Sequence, residues 1–181
     1  DELEELVKRV EDVIREIEER VRRLVRESER VVKEILKKSR KSVEKVKEVV
    51  DRAVDLVRKR KDDKRALEEL RRVAEEIKEE NERLLRDAEE KVKKLDRELE
   101  KLLEDLRREI RRLLEELRRG PDDERLKDVE REIRRVLRRA EKVVDEALKR
   151  SRDTLREVRK VSKEVREDIE RVVKEADEAA R

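Results

Sequence analysis

The chain has 181 residues, of which 61% are Asp, Glu, Lys or Arg, yet its net charge is only +3 because 57 cations face 54 anions. It contains no His, Cys, Met, Phe, Tyr, Trp or Gln, and a single Gly and a single Pro. That composition excludes disulfides, thiolate or imidazole metal sites and His-based catalysis, and it offers no aromatic platform for stacking bases. So high a charged fraction would suit a disordered chain, but near-neutral balance and regularly spaced apolar residues oppose that reading.

The first apolar track runs Leu3, Val7, Val10, Ile14, Ile17, Val21, Leu24, Ser28, Val31, Ile35, Ser39, Ser42, Val46, Val49, Ala53, Val57. It advances about 3.6 residues per step, the period of an α-helix. Leu6, Val13, Val25, Val32, Leu36, Val43, Val50 and Val54 flank it and widen the stripe to that of a bundle helix. A helix is predicted over residues 2–60. Asp1 is placed to cap it, Glu2, Glu4 and Glu5 suit its first turn, and Arg58 to Lys61 suit its last.

The pattern lapses at Lys59–Lys64, where Asp62 or Asp63 can cap a second helix, predicted over 63–119. Its track is Leu67, Leu70, Ala74, Ile77, Asn81, Leu84, Ala88, Val92, Leu95, Leu99, Leu102, Leu106, Ile110, Leu113, Leu117. Gly120 supplies a stop, Pro121 blocks continuation, and Asp122 or Asp123 opens a third helix, predicted over 122–180. That helix carries Leu126, Val129, Ile133, Val136, Ala140, Val143, Ala147, Ser151, Thr154, Val158, Val161, Val165, Ile169, Val172, Ala176, Ala179.

Short connections force neighbouring helices antiparallel. The expected fold is all-α: an up-down-up three-helix bundle of long, nearly straight antiparallel helices, forming one domain over residues 1–181. Helices of this length extend roughly 85 Å. Opposite charges four apart, such as Glu11 with Arg15 and Glu16 with Arg20, are expected to pair along the outer faces.

A surface almost wholly of Asp, Glu, Lys and Arg, matched element lengths, absent aromatics and the Gly120-Pro121-Asp122-Asp123-Glu124-Arg125-Leu126-Lys127 turn resemble the style of de novo designed helical bundles. The resemblance covers the whole chain and transfers no motif residue by residue. It implies a structural scaffold, with Ser or Asn set in the core for hydrogen bonding. Spectrin-type repeats share the topology but usually carry aromatic cores. Single charged helices lack a continuous apolar stripe.

Five polar residues beside Asn81 and Thr154 make the sharpest local signal: Ser28, Ser39, Ser42, Ser151 and Ser162 lie on the apolar faces. Folding the chain about its two turns places Asn81 near residue 43 of helix 1 and residue 160 of helix 3. Ser42 and Ser162 lie within one turn of those levels, and Ser39 one turn away. A buried network of Ser42, Asn81 and Ser162, with Ser39 as a possible member, is therefore expected. An unpaired buried amide or hydroxyl costs about 1–3 kcal/mol, so such a network penalises a shifted register. The alternative is that Ser acts as a small spacer bonding its own helix carbonyl, and for Ser28, Ser151 and Thr154 both readings stay open.

No enzyme activity is expected. Paired carboxylates such as Glu115 and Glu116 face solvent, diiron bundles require inward Glu-x-x-His, and one Gly cannot form a phosphate-cradling loop. No cofactor or metal is expected. Lys37-Lys38-Ser39-Arg40-Lys41 is locally basic, but residues 1–61, 62–120 and 121–181 carry only +4, −2 and +1, too little for a phosphate-attracting face. Interspersed signs and missing aromatic anchors argue against a membrane surface. The acidic start is unlike a targeting signal, so a water-soluble protein without an address, made by recombinant cytoplasmic expression, is expected. No partner is required, but the wider stripes of helices 1 and 3 could flank a groove for a helix of a partner or second copy.

Overall fold

The structure, a computed structural model, describes residues 2–59 and 64–179. It contains three α-helices: α1 (Glu2–Lys59), α2 (Lys64–Arg119) and α3 (Glu124–Ala179). Each is continuous because no Gly or Pro interrupts its interior and its apolar residues return once per turn. The expected Asp1, Asp62 and Asp63 caps, Arg60 and Lys61 lie outside the described residues, as do the side chains of Val57 and Ala179. Glu2, Glu4 and Glu5 do occupy the first turn of α1, and Arg58 and Lys59 its last.

Backbone proximity groups the chain into two compact units: Asp1–Val31 with Lys93–Ser151, and Val32–Val92 with Arg152–Arg181. Each draws one stretch from every helix. In the first unit, Val10, Ile14 and Ile17 of α1 meet Leu106, Ile110 and Leu113 of α2 and Val129, Ile133 and Val136 of α3 in one aliphatic core. Leu95, Leu99 and Leu103 pack on Val144, Ala147 and Leu148 beside it. In the second unit, Val46, Ala74, Val165 and Ile169 form one cluster, and Ala53, Leu70, Val172 and Ala176 another. Leucine fills the first unit's α2 face, whereas the second unit relies on Val and Ala.

Side-chain pairs fix the directions. In the first unit Arg107 of α2 meets Glu141 of α3, and Asp96 meets Ser151. In the second, Glu89 meets Arg159, Lys78 meets Glu170, and Arg71 meets Asp177. Partners climb along α3 as they descend along α2, so these helices are antiparallel. Ion pairs from Arg20 to Glu109 and from Lys45 to Glu80 tie α1 to α2. Arg20, expected to pair with Glu16 on its own helix, is instead 3.1 Å from Glu109. The neighbouring helix offers a carboxylate at the partly buried seam, where water competes less.

The buried track of α3 differs from the expected one at two places. Val143 is 37% exposed while Val144 is fully buried, and Ser162 is buried while Val161 is only partly so. The helix face rotates so that a four-residue step follows Ala140 and Val158, where a three-residue step was expected. Both choices satisfy a 3.6 period, and only the neighbours decide between them.

The α2–α3 turn is more specific. Gly120 does not adopt the left-handed backbone of a usual helix-terminating glycine, since no described residue has positive φ. Its N–H donates to the Leu117 carbonyl at 3.2 Å. The reason for glycine is close approach: a Cβ there would lie 3.2 Å from Leu126 Cδ1 and 3.3 Å from the Leu117 carbonyl oxygen. Pro121 and Asp122 stay outside the helix, and α3 starts at Glu124, two residues later than expected. Asp123, not Asp122, is the cap. Its Oδ1 accepts from the Arg125 N–H at 3.0 Å, and its carbonyl accepts from Leu126 and Lys127 N–H. Asp123→Ala should cost about 1 kcal/mol of unfolding free energy, whereas Asp122→Ala, whose only described contact is Lys127 at 3.8 Å, should cost a few tenths at most. Paired chemical denaturation curves check the difference.

Candidate functional site

Asn81 is the only amide side chain in the molecule, and α2 places it on the buried face, 6% exposed. It sits between Ile77 and Leu84 on the apolar stripe, so nothing local turns it outward. Its Nδ2 donates to both Ser162 Oγ and the Ser162 backbone carbonyl, each at 3.0 Å. One amide group thus holds α2 to α3 through two bonds at one level. The carbonyl can only accept, which fixes which end of the amide faces α3. Ser162 is 4% exposed.

Ser42 and Ser39 lie on α1 and are half-buried. Neither takes part in the two Asn81 bonds, but both line a small cavity together with Asn81 and Ser162. Ile35, Leu84, Leu85, Ala88, Val158 and Val161 supply its apolar walls. The structure therefore gathers Ser39, Ser42, Asn81 and Ser162 around one space and directly bonds the last two.

A second polar contact was not visible in the sequence. Ser151, fully buried on α3, points its hydroxyl at Asp96 Oδ1 (2.6 Å) and at the Leu148 carbonyl (2.8 Å). A hydroxyl has one proton for two acceptors, and the shorter contact to a carboxylate is the stronger partner. Asp96 follows Leu95 at the edge of the α2 stripe and is half-buried. Its position four after Val92 and three before Leu99 is the signal that could have marked it. Ser28 and Thr154 are also buried, on α1 and α3. Among the described residues no fully buried side-chain polar atom lacks a hydrogen-bond partner.

The remaining charges among the described residues are exposed or half-buried. Glu115 and Glu116 are exposed, as expected. Among the described residues, no group of three or more acidic side chains is arranged to hold a metal ion. No helix there is long and apolar enough to cross a membrane. Lys91, at the rim of the Asn81 cavity, lies 3.1 Å from Asp87 one turn back. Its hydrogen bond to Asp87 raises the lysine above its ordinary range, with burial opposing and the charges of Asp87 and Glu34 adding. A further groove of about 320 Å³ lies between α1 and α3 in the first unit, with Val21, Val25, Val136, Ala140 and the exposed Val143 on its walls.

A raised lysine pKa means stability that is present below the unfolded value, about 10.4, and is lost as pH climbs through the folded one. Asp87→Asn should therefore be slightly less stable than the parent at neutral pH. The gap should close above that range. It is small, because Lys91 and Asp87 side chains are 37% and 48% exposed. Denaturation midpoints measured from pH 7 to pH 12 check the sign.

No protein-family model matches this chain, and no curated protein matches it. A solved structure described as a computationally designed three helix bundle is similar to it. That likeness has a TM-score of 0.64 and covers 99% of this chain and 93% of the other at 20% sequence identity. The likeness is one of fold: three long helices packed against one another as a three-helix bundle.

Proposed function

We propose that this chain is a designed structural scaffold without natural biochemical activity, in which the buried polar contacts set helix register. The observation that carries the reading is the Asn81–Ser162 contact, two bonds from one buried amide in a mostly aliphatic interior. Sliding α3 by one turn would leave an amide facing valines, at a cost of about 1–3 kcal/mol. Likeness to a designed bundle and a composition stripped of catalytic side chains support the same reading. Asn81→Leu should keep the helical circular dichroism and melt at the same temperature or higher, because replacing a buried polar group by an apolar one of similar size is often neutral or stabilising. Its mass distribution by light scattering should broaden from the 22.1 kDa monomer. Unfolding of that variant would sink the reading, since it would make the amide a stabilising element.

A second reading is a binding module that takes a partner helix, and the α1–α3 groove favours it. Val143 is the one large apolar side chain that is exposed among the described residues, and it lies in that groove. Arg22, Arg26 and Arg139 outnumber Glu18 and Glu29 on the walls, and Glu29 is already bonded to Arg150. The fitting occupant is an amphipathic helix with an acidic polar face. A Leu- and Glu-rich helical peptide should then bind, more weakly as salt rises, and Val143→Glu should abolish binding. Absence of binding at about 100 µM, equivalent to roughly −5.5 kcal/mol, excludes this role.

A further inference from the structure

Asn81 carries an acceptor that the Ser162 contact leaves unused. Both bonds leave from Nδ2, and the Ser162 carbonyl forces that nitrogen toward α3. Oδ1 must therefore be satisfied elsewhere. It is not sealed in the core, because no fully buried polar side-chain atom among the described residues is without a partner. Asn81 lines the cavity shared with Ser39, Ser42 and Ser162.

The size of that space is informative. It offers about 20 Å³ to the centre of a water molecule. A cavity must offer roughly 10–15 Å³ of probe volume to hold one water, and the water needs two to four polar partners. The cavity is large enough for one water and too small for an organic ligand. Its uncharged polar lining comes from all three helices: Ser39 and Ser42 on α1, Asn81 on α2, Ser162 on α3; Lys38, Asp87 and Lys91 line it as well. Lys91, at the rim, is already bonded to Asp87.

We propose that this cavity is a structural water site. One water donates a proton to Asn81 Oδ1 and accepts the Ser42 hydroxyl proton, and its second proton is available to Ser39 Oγ. The water joins α1 to the Asn81–Ser162 pair and completes a polar layer across three helices. It accounts for two serines on α1 facing a single amide. The inference extends the register reading to a third helix, yet the two fail separately, because one rests on the amide nitrogen and the other on the amide oxygen.

Ser42→Val decides it by sign. Valine and serine have similar helix propensities, so that contribution nearly cancels. In a dry cavity the added methyls fill a void and raise the denaturation midpoint. In a hydrated one they expel the water and strand Oδ1. The expected result is a folding equilibrium constant roughly 5- to 150-fold lower. In the Asn81→Leu background no oxygen remains to strand, and the same substitution should raise the midpoint. A crystal structure of the parent should show one water within about 2.7–3.2 Å of both Asn81 Oδ1 and Ser42 Oγ. A midpoint that rises or stays level on Ser42→Val in the parent, or density with Ser42 bonded directly to Asn81, overturns the proposal.

Discussion

Each helix of this chain has one apolar stripe, and in this structure the other two helices cover most of it. That mutual burial is the constraint on which the rest depends. Isolated helices gain little from propensity alone, and Val-rich ones gain less than Ala- or Leu-rich ones. Full burial of a Leu or Ile is worth about 1.5–3 kcal/mol, and Leu99, Leu106 and Ile133 have no exposed surface. An exposed ion pair is worth about 0.2–1 kcal/mol. The pairs between helices, such as Arg150 with Glu29 at 68% and 50% exposure, therefore choose among neighbours and keep the surface solvated; they do not hold the helices together.

The polar groups inside have a different task. Asn81 with Ser162, and Ser151 with Asp96, break the uniformity of an interior built from Val, Leu, Ile and Ala. A stripe of Val and Leu packs almost as well one turn out of step. A donor with one matching acceptor does not. Such groups add little net stability and much discrimination, because the unpaired state costs more than the paired state gains. That balance is what the proposed scaffold role requires, since a scaffold must hold one arrangement.

The helices and their stripes could be read from the sequence because a 3.6-residue recurrence has one structural meaning. The candidate polar residues followed in part: Ser28, Asn81, Ser151 and Thr154 stand on the recurring apolar tracks and Ser162 beside Val161, and all five are buried, whereas Ser39 and Ser42 are half-buried. Exact opposition was harder to read. Folding the chain about its turn treats each side chain as level with its own Cα, but helical side chains tilt toward the N-terminus. On α2 that tilt leads away from the second turn, and on α3 toward it. Arg107 with Glu141, Glu89 with Arg159 and Arg71 with Asp177 are accordingly centred on residue 124, beyond the middle of the Gly120–Asp123 turn. The Asp96–Ser151 contact is hidden in the sequence for the same reason: the level of Asp96 on α3, taken from chain position alone, falls short of Ser151.

By itself the sequence determined the number of helices, their approximate ends and the face each buries, because periodicity, Gly120-Pro121 and the acidic residues around the helix starts act locally along the chain. Tertiary structure decided what locality cannot: that Val144 and not Val143 turns inward, that Arg20 leaves Glu16 for Glu109, that Asp123 caps α3, and that Ser39 and Ser42 border the amide they face without sharing its two bonds. A residue with two nearly equal local choices takes the one its neighbours on another helix can complete.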